Sequence, residues 1–128
     1  MSSKSTVYTP GATGKSNSYA GTVSDTIPAG ETKSLTLAAY TACKVDNIIL
    51  NFKDAGAESG MATGHISINL TRDLGNNSIK VGLLSDELED AASVVVNNIG
   101  MWITSVNDAI EVTNNTDTDC IIVIDFIY

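Results

Sequence analysis

Apolar and polar residues take turns along most of the chain. In His65–Thr71, Ile66, Ile68 and Leu70 alternate with His65, Ser67, Asn69 and Thr71. Successive side chains of a strand point to opposite faces, so this period marks a strand with one face in a core and one in water. Lys33–Ala38 places Leu35 and Leu37 on one face, and Lys44–Phe52 does the same with Ile48, Leu50 and Phe52. Ser78–Leu84 continues with Ile79, Val81 and Leu83. Gly21–Ile27, Ser93–Asn97, Met101–Val106 and Asp108–Thr113 read as further strands. Pro28-Ala29-Gly30, the Gly/Ala-rich stretch Ala55–Gly64 and Asn114–Thr118 separate them. Gly75-Asn76-Asn77 sits between two alternating runs, the mark of a hairpin. About eight strands with turns every ~8–12 residues predict an antiparallel all-β sandwich or barrel.

Two segments break the pattern. Ser85–Ala92 is the one candidate helix, because Asp86 and Glu89 have capping-box spacing and acids fill its first turn. The last strand, Asp119–Tyr128, is apolar on both faces except at Asp125. Cys120, Ile122, Ile124, Phe126 and Tyr128 point one way; Ile121, Val123 and Ile127 point the other. An antiparallel strand with one wet face should alternate. This one calls for cover on its second side, from the N-terminal segment, the short helix or another subunit. Each aliphatic side chain left in water forgoes ~1.5–3 kcal/mol of burial.

Composition strengthens the β reading. Of 128 residues, 14 are Thr, 13 Ile and 10 Val, against 8 Leu. β-branched side chains suit a pleated sheet and are stiff in helices. The length suits one domain, assigned to residues 21–128. Charge is split: all seven basic residues fall in residues 1–80, whereas residues 81–128 hold nine acids and no Lys or Arg. The net charge of −8 disfavours nucleic acid and anionic membranes, which need a basic surface. The first residues lack the apolar core of a signal peptide, so synthesis in a cytoplasm is expected. Cys43 and Cys120 then read as reduced, buried thiols, and the sequons at Asn69, Asn76 and Asn114 as accidents of an Asn/Thr-rich chain.

Catalytic and ligand chemistry find little purchase. GATGKS, Gly11–Ser16, suggests a phosphate loop, but only two residues separate Gly11 from Gly14 and Thr9 stands where the first Gly belongs. His65 is the only histidine and falls on a polar strand face; Ser67 is a conceivable partner, but no nucleophile motif surrounds either. One His and two distant Cys offer no metal-ligand spacing. Asp86, Glu87, Glu89 and Asp90, and the turn pair Asp117 and Asp119, match no calcium loop and read as solvated acids. The expectation is a non-enzyme with no cofactor and no metal.

Residues 1–20 read as an extended N-terminal arm. Ser, Thr, Gly and Lys dominate, and the few apolar groups cannot hold the arm down alone. A partner surface is its natural support. Val7, Tyr8 and Tyr19 are the candidate anchors, and Lys4 and Lys15 can meet the acids that follow Lys80 in an adjacent chain.

DTIPAGETKSLTLAAYTACKVDNIILNF, then GHISINLTRD, then DAIEVTNNTDTDCIIVIDFIY resembles the small jelly-roll structural proteins of tailed-bacteriophage virions. In those chains an "I-P-A-G-x-T-x-S-L" opening leads into a core strand. A "D-x-I-x-V-x-N-x-T" hairpin then closes the sandwich with an aliphatic strand. The resemblance covers roughly residues 25–128 and leaves out the arm and Asp86–Asp90. It implies a jelly-roll-like sandwich and a head decoration (cement) protein of the virion, with a collar, tail or fibre component as the alternative. It implies no catalytic residues. It also favours a homo-oligomer, a trimer above all, partnered with the major capsid protein or another virion protein. A carbohydrate-binding sandwich is the competing class, for which Trp102 and Tyr40 are the available aromatic platforms.

Overall fold

A computed structural model of the chain describes residues 18–52 and 61–128. They form nine strands: β1 (Tyr19–Ile27), β2 (Glu31–Thr36), β3 (Lys44–Phe52), β4 (Ala62–Asp73), β5 (Ser78–Ala91), β6 (Ser93–Val96), β7 (Met101–Trp102), β8 (Ala109–Thr116) and β9 (Cys120–Ile127). A single 3₁₀ turn, Ala38–Tyr40, is the only helical element among the described residues. Tyr19 and Ala20, counted in the sequence with the expected arm of residues 1–20, belong to β1. Residues 1–17 lie outside the described part.

The strands make two antiparallel sheets, in the order β1-β9-β3-β6 and β2-β8-β4-β5, with β7 also pairing with β3. Only the β4–β5 hairpin and the β6–β7 step stay within one sheet; every other connection crosses to the opposite one. The hairpin turns where Gly75 takes φ 94°, with Asp73 accepting its N–H and Asn77 accepting that of Leu74. Gly tolerates this backbone without a Cβ clash.

One core lies between the sheets. From the first sheet it takes Ile27, Val45, Ile48, Leu50, Phe52, Ile122, Ile124 and Phe126; from the second, Leu35, Ile66, Ile68, Leu70, Ile110 and Val112. The period of two assigned Leu35, Ile48, Leu50, Phe52, Ile66, Ile68, Leu70, Ile122, Ile124 and Phe126 to this face. Val45 joins it out of phase, where a register shift at Asp125/Phe126 turns it inward, whereas Ile79, grouped with Val81 and Leu83 by the same period, is exposed. Each core side chain contributes on the order of 1.5–3 kcal/mol of burial. Tyr40 stacks on Phe126, centroids 4.0 Å apart and planes 4° from parallel. Its ring lies over Gly21, where any Cβ would collide with it, so the corner of β1 has room for glycine alone.

The candidate helix at Ser85–Ala92, with an acidic loop as its alternative, is neither: Ser85–Ala91 form the end of β5, in register with β4, with His65 opposite Glu87 and Ile66 opposite Asp86. Leu88 is buried while Asp86, Glu87, Glu89 and Asp90 are exposed. A capping-box spacing is a local preference worth about 1 kcal/mol. A dozen residues of β4 offering a ladder and a site for Leu88 outweigh it. β5 is also the sheet edge, and its four acids discourage pairing with another chain's strand. Met101–Val106 likewise shortens to the two-residue β7, because Ser105 to Asn107 turn back toward β8.

Candidate functional surfaces

β9 runs between β1 and β3, so its outward side chains are flanked on both sides. Val123 lies opposite Ser24 of β1 and Ile49 of β3, and Ile49 lies opposite Val95 of β6. Directly opposed residues share a face. Ser24, Val123, Ile49 and Val95 therefore form one row across four strands, with Ile121 one step along β9. None of these packs into the core, and Val95 is 51 % exposed. Ile127, by contrast, is buried. The helix that could have covered this face is a strand of the other sheet.

Asp125 closes one end of the patch. Thr22 donates to it at 2.8 Å and Asn47 at 3.0 Å, and Tyr19 is hydrogen-bonded to Thr22. The one polar interruption in the last strand is thus held by cross-strand donors. Asp46 lies nearby. Burial, then the charge of Asp125, pushes its carboxyl up, against the pull of Lys44. Of the five arm residues singled out in the sequence, Tyr19 is described: it starts β1, 65 % exposed, on this same corner. Lys4, Val7, Tyr8 and Lys15 lie outside the described residues, as does GATGKS.

His65 has partners that the sequence did not name. Its Nδ1 is 3.1 Å from Glu87 and its Nε2 3.1 Å from Ser85, both on β5. Ser67, the partner considered from sequence, is not bonded to it. The connectivity is that of a serine–histidine–carboxylate chain, but it stands on an open sheet face and the Glu87 side chain is 75 % exposed. A hydrolytic centre needs a carboxylate withdrawn from water and donors aimed at the developing oxyanion. An exposed cross-strand group of this kind instead stabilises the β4–β5 pairing by ~0.2–1 kcal/mol.

The remaining candidates serve the fold. Asp117 accepts the Thr63 N–H at 3.0 Å and the Thr118 hydroxyl at 2.9 Å. The Thr63 bond first, then the Thr118 bond, holds its carboxyl below the ordinary range. Asp119 accepts the Ala29 N–H at 2.8 Å. Among the described residues, no three His, Cys, Asp or Glu side chains cluster as metal ligands, and no helix is long and apolar enough to cross a membrane. Tyr40, one of the two proposed sugar platforms, is committed to Phe126. Trp102 is 52 % exposed, but the Lys44 ammonium sits 5.0 Å from its ring centroid. Asn114 is fully buried with both amide hydrogens bonded, so its sequon cannot take a glycan on the folded chain.

Cys43 and Cys120 are both buried and free. Burial, aided by the Asp119 charge, pushes the Cys120 thiol up to about 11, so little thiolate is present at neutral pH. Thiol reagents should label neither residue quickly in the native protein and should add two labels per chain after unfolding. Rapid native labelling of Cys120 would contradict the burial. No family model matches the chain, and no curated protein matches it significantly.

Proposed function

We propose that the chain is a non-enzymatic structural protein of a tailed-phage virion, a capsid decoration (cement) protein built as a jelly roll. The observation that carries this reading is the strand order. β1-β9-β3-β6 facing β2-β8-β4-β5, with its single hairpin at β4–β5, supports a jelly-roll arrangement of two interleaved Greek keys. The quoted "I-P-A-G" opening forms the end of β1 and its turn, and the aliphatic closing strand is β9 beside it. A fold hosts many functions, so the assembly role rests on surfaces. Those are the arm, the apolar patch on the outer face of the first sheet, and the opposite charges of residues 1–17 and the chain beyond Lys80.

The arm and the sandwich bind the head and one another. Lys4, Val7, Tyr8, Lys15 and Tyr19 are the contact residues, and the favoured oligomer is a trimer, a closed ring of heterologous contacts that suits a shell's local threefold. Ordering a backbone costs ~1–2 kcal/mol per residue, so the arm needs a partner's surface to become fixed. Deleting residues 2–18 should leave the β circular dichroism spectrum intact and abolish oligomers and shell binding. Light scattering and co-sedimentation with phage heads measure both. Unchanged oligomers and unchanged decoration by the truncated chain would refute the role of the arm.

A further inference from the structure

We propose that the outer face of the first sheet is the seat for residues 1–17 of a neighbouring copy, which lie across the row formed by Val123, Ile49 and Val95. This rests on the assembly reading above and names the surface that the arm meets.

On this face Val95 is exposed and Ile49, Ile121 and Val123 are half-buried. Ile121 and Val123 of β9, Ile49 of β3 and Val95 of β6 make one apolar patch, edged by Ser24, Thr26, Asn51 and Ser93. An apolar patch edged by polar side chains marks an interaction site. At one end stand Asp125 and Asp46, where the charge of Asp125 adds to burial in raising the Asp46 carboxyl against the pull of Lys44. An arriving cation would relieve that repulsion. Residues 1–17 carry Lys4 and Lys15 and no acid, and they supply Val7 and Tyr8 for the apolar row. The match is therefore one of charge at the end and of apolar groups in the middle.

Direction and length favour a neighbour over the chain's own sheet. The Ser18 carbonyl accepts the Tyr128 N–H at 2.9 Å, which keeps Ser18 in line with β1. From there the chain's N-terminal side points off the end of the sheet opposite Ile27. Covering its own Val123 row would require an immediate reversal. Seventeen extended residues reach roughly 55–60 Å, whereas a nine-residue strand such as β3 spans only about 30 Å. The segment is long enough to leave one subunit and cross the next. The same contact repeated around a ring is head-to-tail and closes.

The test mixes two full-length variants, Val7→Cys and Ser24→Cys, and oxidises the mixture at low protein concentration. Ser24 is exposed beside Val123, and native Cys43 and Cys120 are buried. The expected result is a disulfide-linked heterodimer that neither variant alone produces in comparable yield. A second variant, Val95→Lys, places a charge at an exposed position of the apolar row that Val7 and Tyr8 would cover. It should keep the β spectrum and weaken oligomerisation at least ten-fold. A chain carrying both Val7→Cys and Ser24→Cys that links within itself would overturn the proposal, because the arm then covers its own sheet. Normal oligomers without the cross-link, or undiminished by Val95→Lys, would also overturn it while leaving the assembly reading intact. A full-length chain that is monomeric and binds no phage head would sink both.

Discussion

Arg72→Ala is expected to destabilise the fold by ~3–5 kcal/mol, the cost of breaking a buried ion pair from one side. Asp108 is fully buried between the Ser105–Asn107 turn and the first residue of β8. Arg72, on β4, donates from Nε and a terminal nitrogen to both of its oxygens, at 3.0–3.2 Å. The same guanidinium bonds the Trp102 carbonyl at 2.7 Å, and the Thr104 N–H reaches Asp108 at 2.9 Å. One arginine of the second sheet thus fixes the segment by which the chain crosses from β7 to β8. Alanine leaves a buried carboxylate with only backbone donors and strips the Trp102 carbonyl of its partner.

The pH dependence separates this account from a generic loss of packing. Burial alone would raise the Asp108 carboxyl, but the Arg72 bonds and charge, with the Thr104 and Ser105 amides, hold it below its ordinary value. A depressed carboxyl contributes stability that is present above the unfolded value, about 4, and lost as pH falls through the folded one. Without Arg72, its bonds and charge no longer hold the carboxyl down, so less of that pH-dependent stability remains to be lost. The stability gap between wild type and Arg72→Ala should therefore narrow as pH falls below about 4, toward the folded value of Asp108. Denaturant unfolding across that range measures it. A gap that stays constant would show that the charge pairing is not its source.

Asn114→Ala should cost about 3 kcal/mol or more, since each buried polar group left unpaired costs ~1–3 kcal/mol. Asn114 is fully buried. Its Nδ2 donates to the Ile27 carbonyl at 3.0 Å and the Thr118 carbonyl at 2.9 Å. Its Oδ1 accepts from the Thr116 N–H at 3.1 Å and the Thr116 hydroxyl at 2.6 Å. One amide thereby pins the end of β1, the end of β8 and the turn into β9, joining the two sheets at that corner. Asn114→Asp keeps the accepting oxygen but turns the donor into a charge facing two carbonyls. It should be worse than alanine at pH 7 and recover on acidification, when the carboxyl can donate. Equal stabilities for the two variants across pH would mean the corner is wet and the network weak.

Strand positions were legible because burial on one face imposes a period of two, and Ile66-x-Ile68-x-Leu70 and Ile48-x-Leu50-x-Phe52 obey it without exception. Turns were legible because Gly75 and Gly30 adopt positive φ, which few other residues tolerate. The acids of Asp86–Asp90 misled, since helix-start signals act over one turn whereas strand pairing is settled by a distant partner. The same limit hid the groups that lock the molecule. Nothing near Arg72 in the chain points to Asp108, 36 residues on, and Asn114 looks like any other Asn in an Asn-rich chain. His65 could be placed on a polar face, but its neighbours Ser85 and Glu87 follow from β4–β5 register, which a bulge at Ile68/Asn69 shifts.

The outer face of the first sheet shows the boundary most clearly. That Asp119–Tyr128 is apolar on both sides can be read directly from its residues, because side-chain direction alternates along any strand. That Val123, Ile49 and Val95 stand in one row cannot, because it depends on which strands become neighbours and in what register. Local chemistry dictated periodicity, turns and the two-sided last strand. Long-range pairing is chosen by the energy of the whole core, and it decided the sheet order, the buried Arg72–Asp108 and Asn114 locks, and the half-buried apolar patch on the outer side of β9.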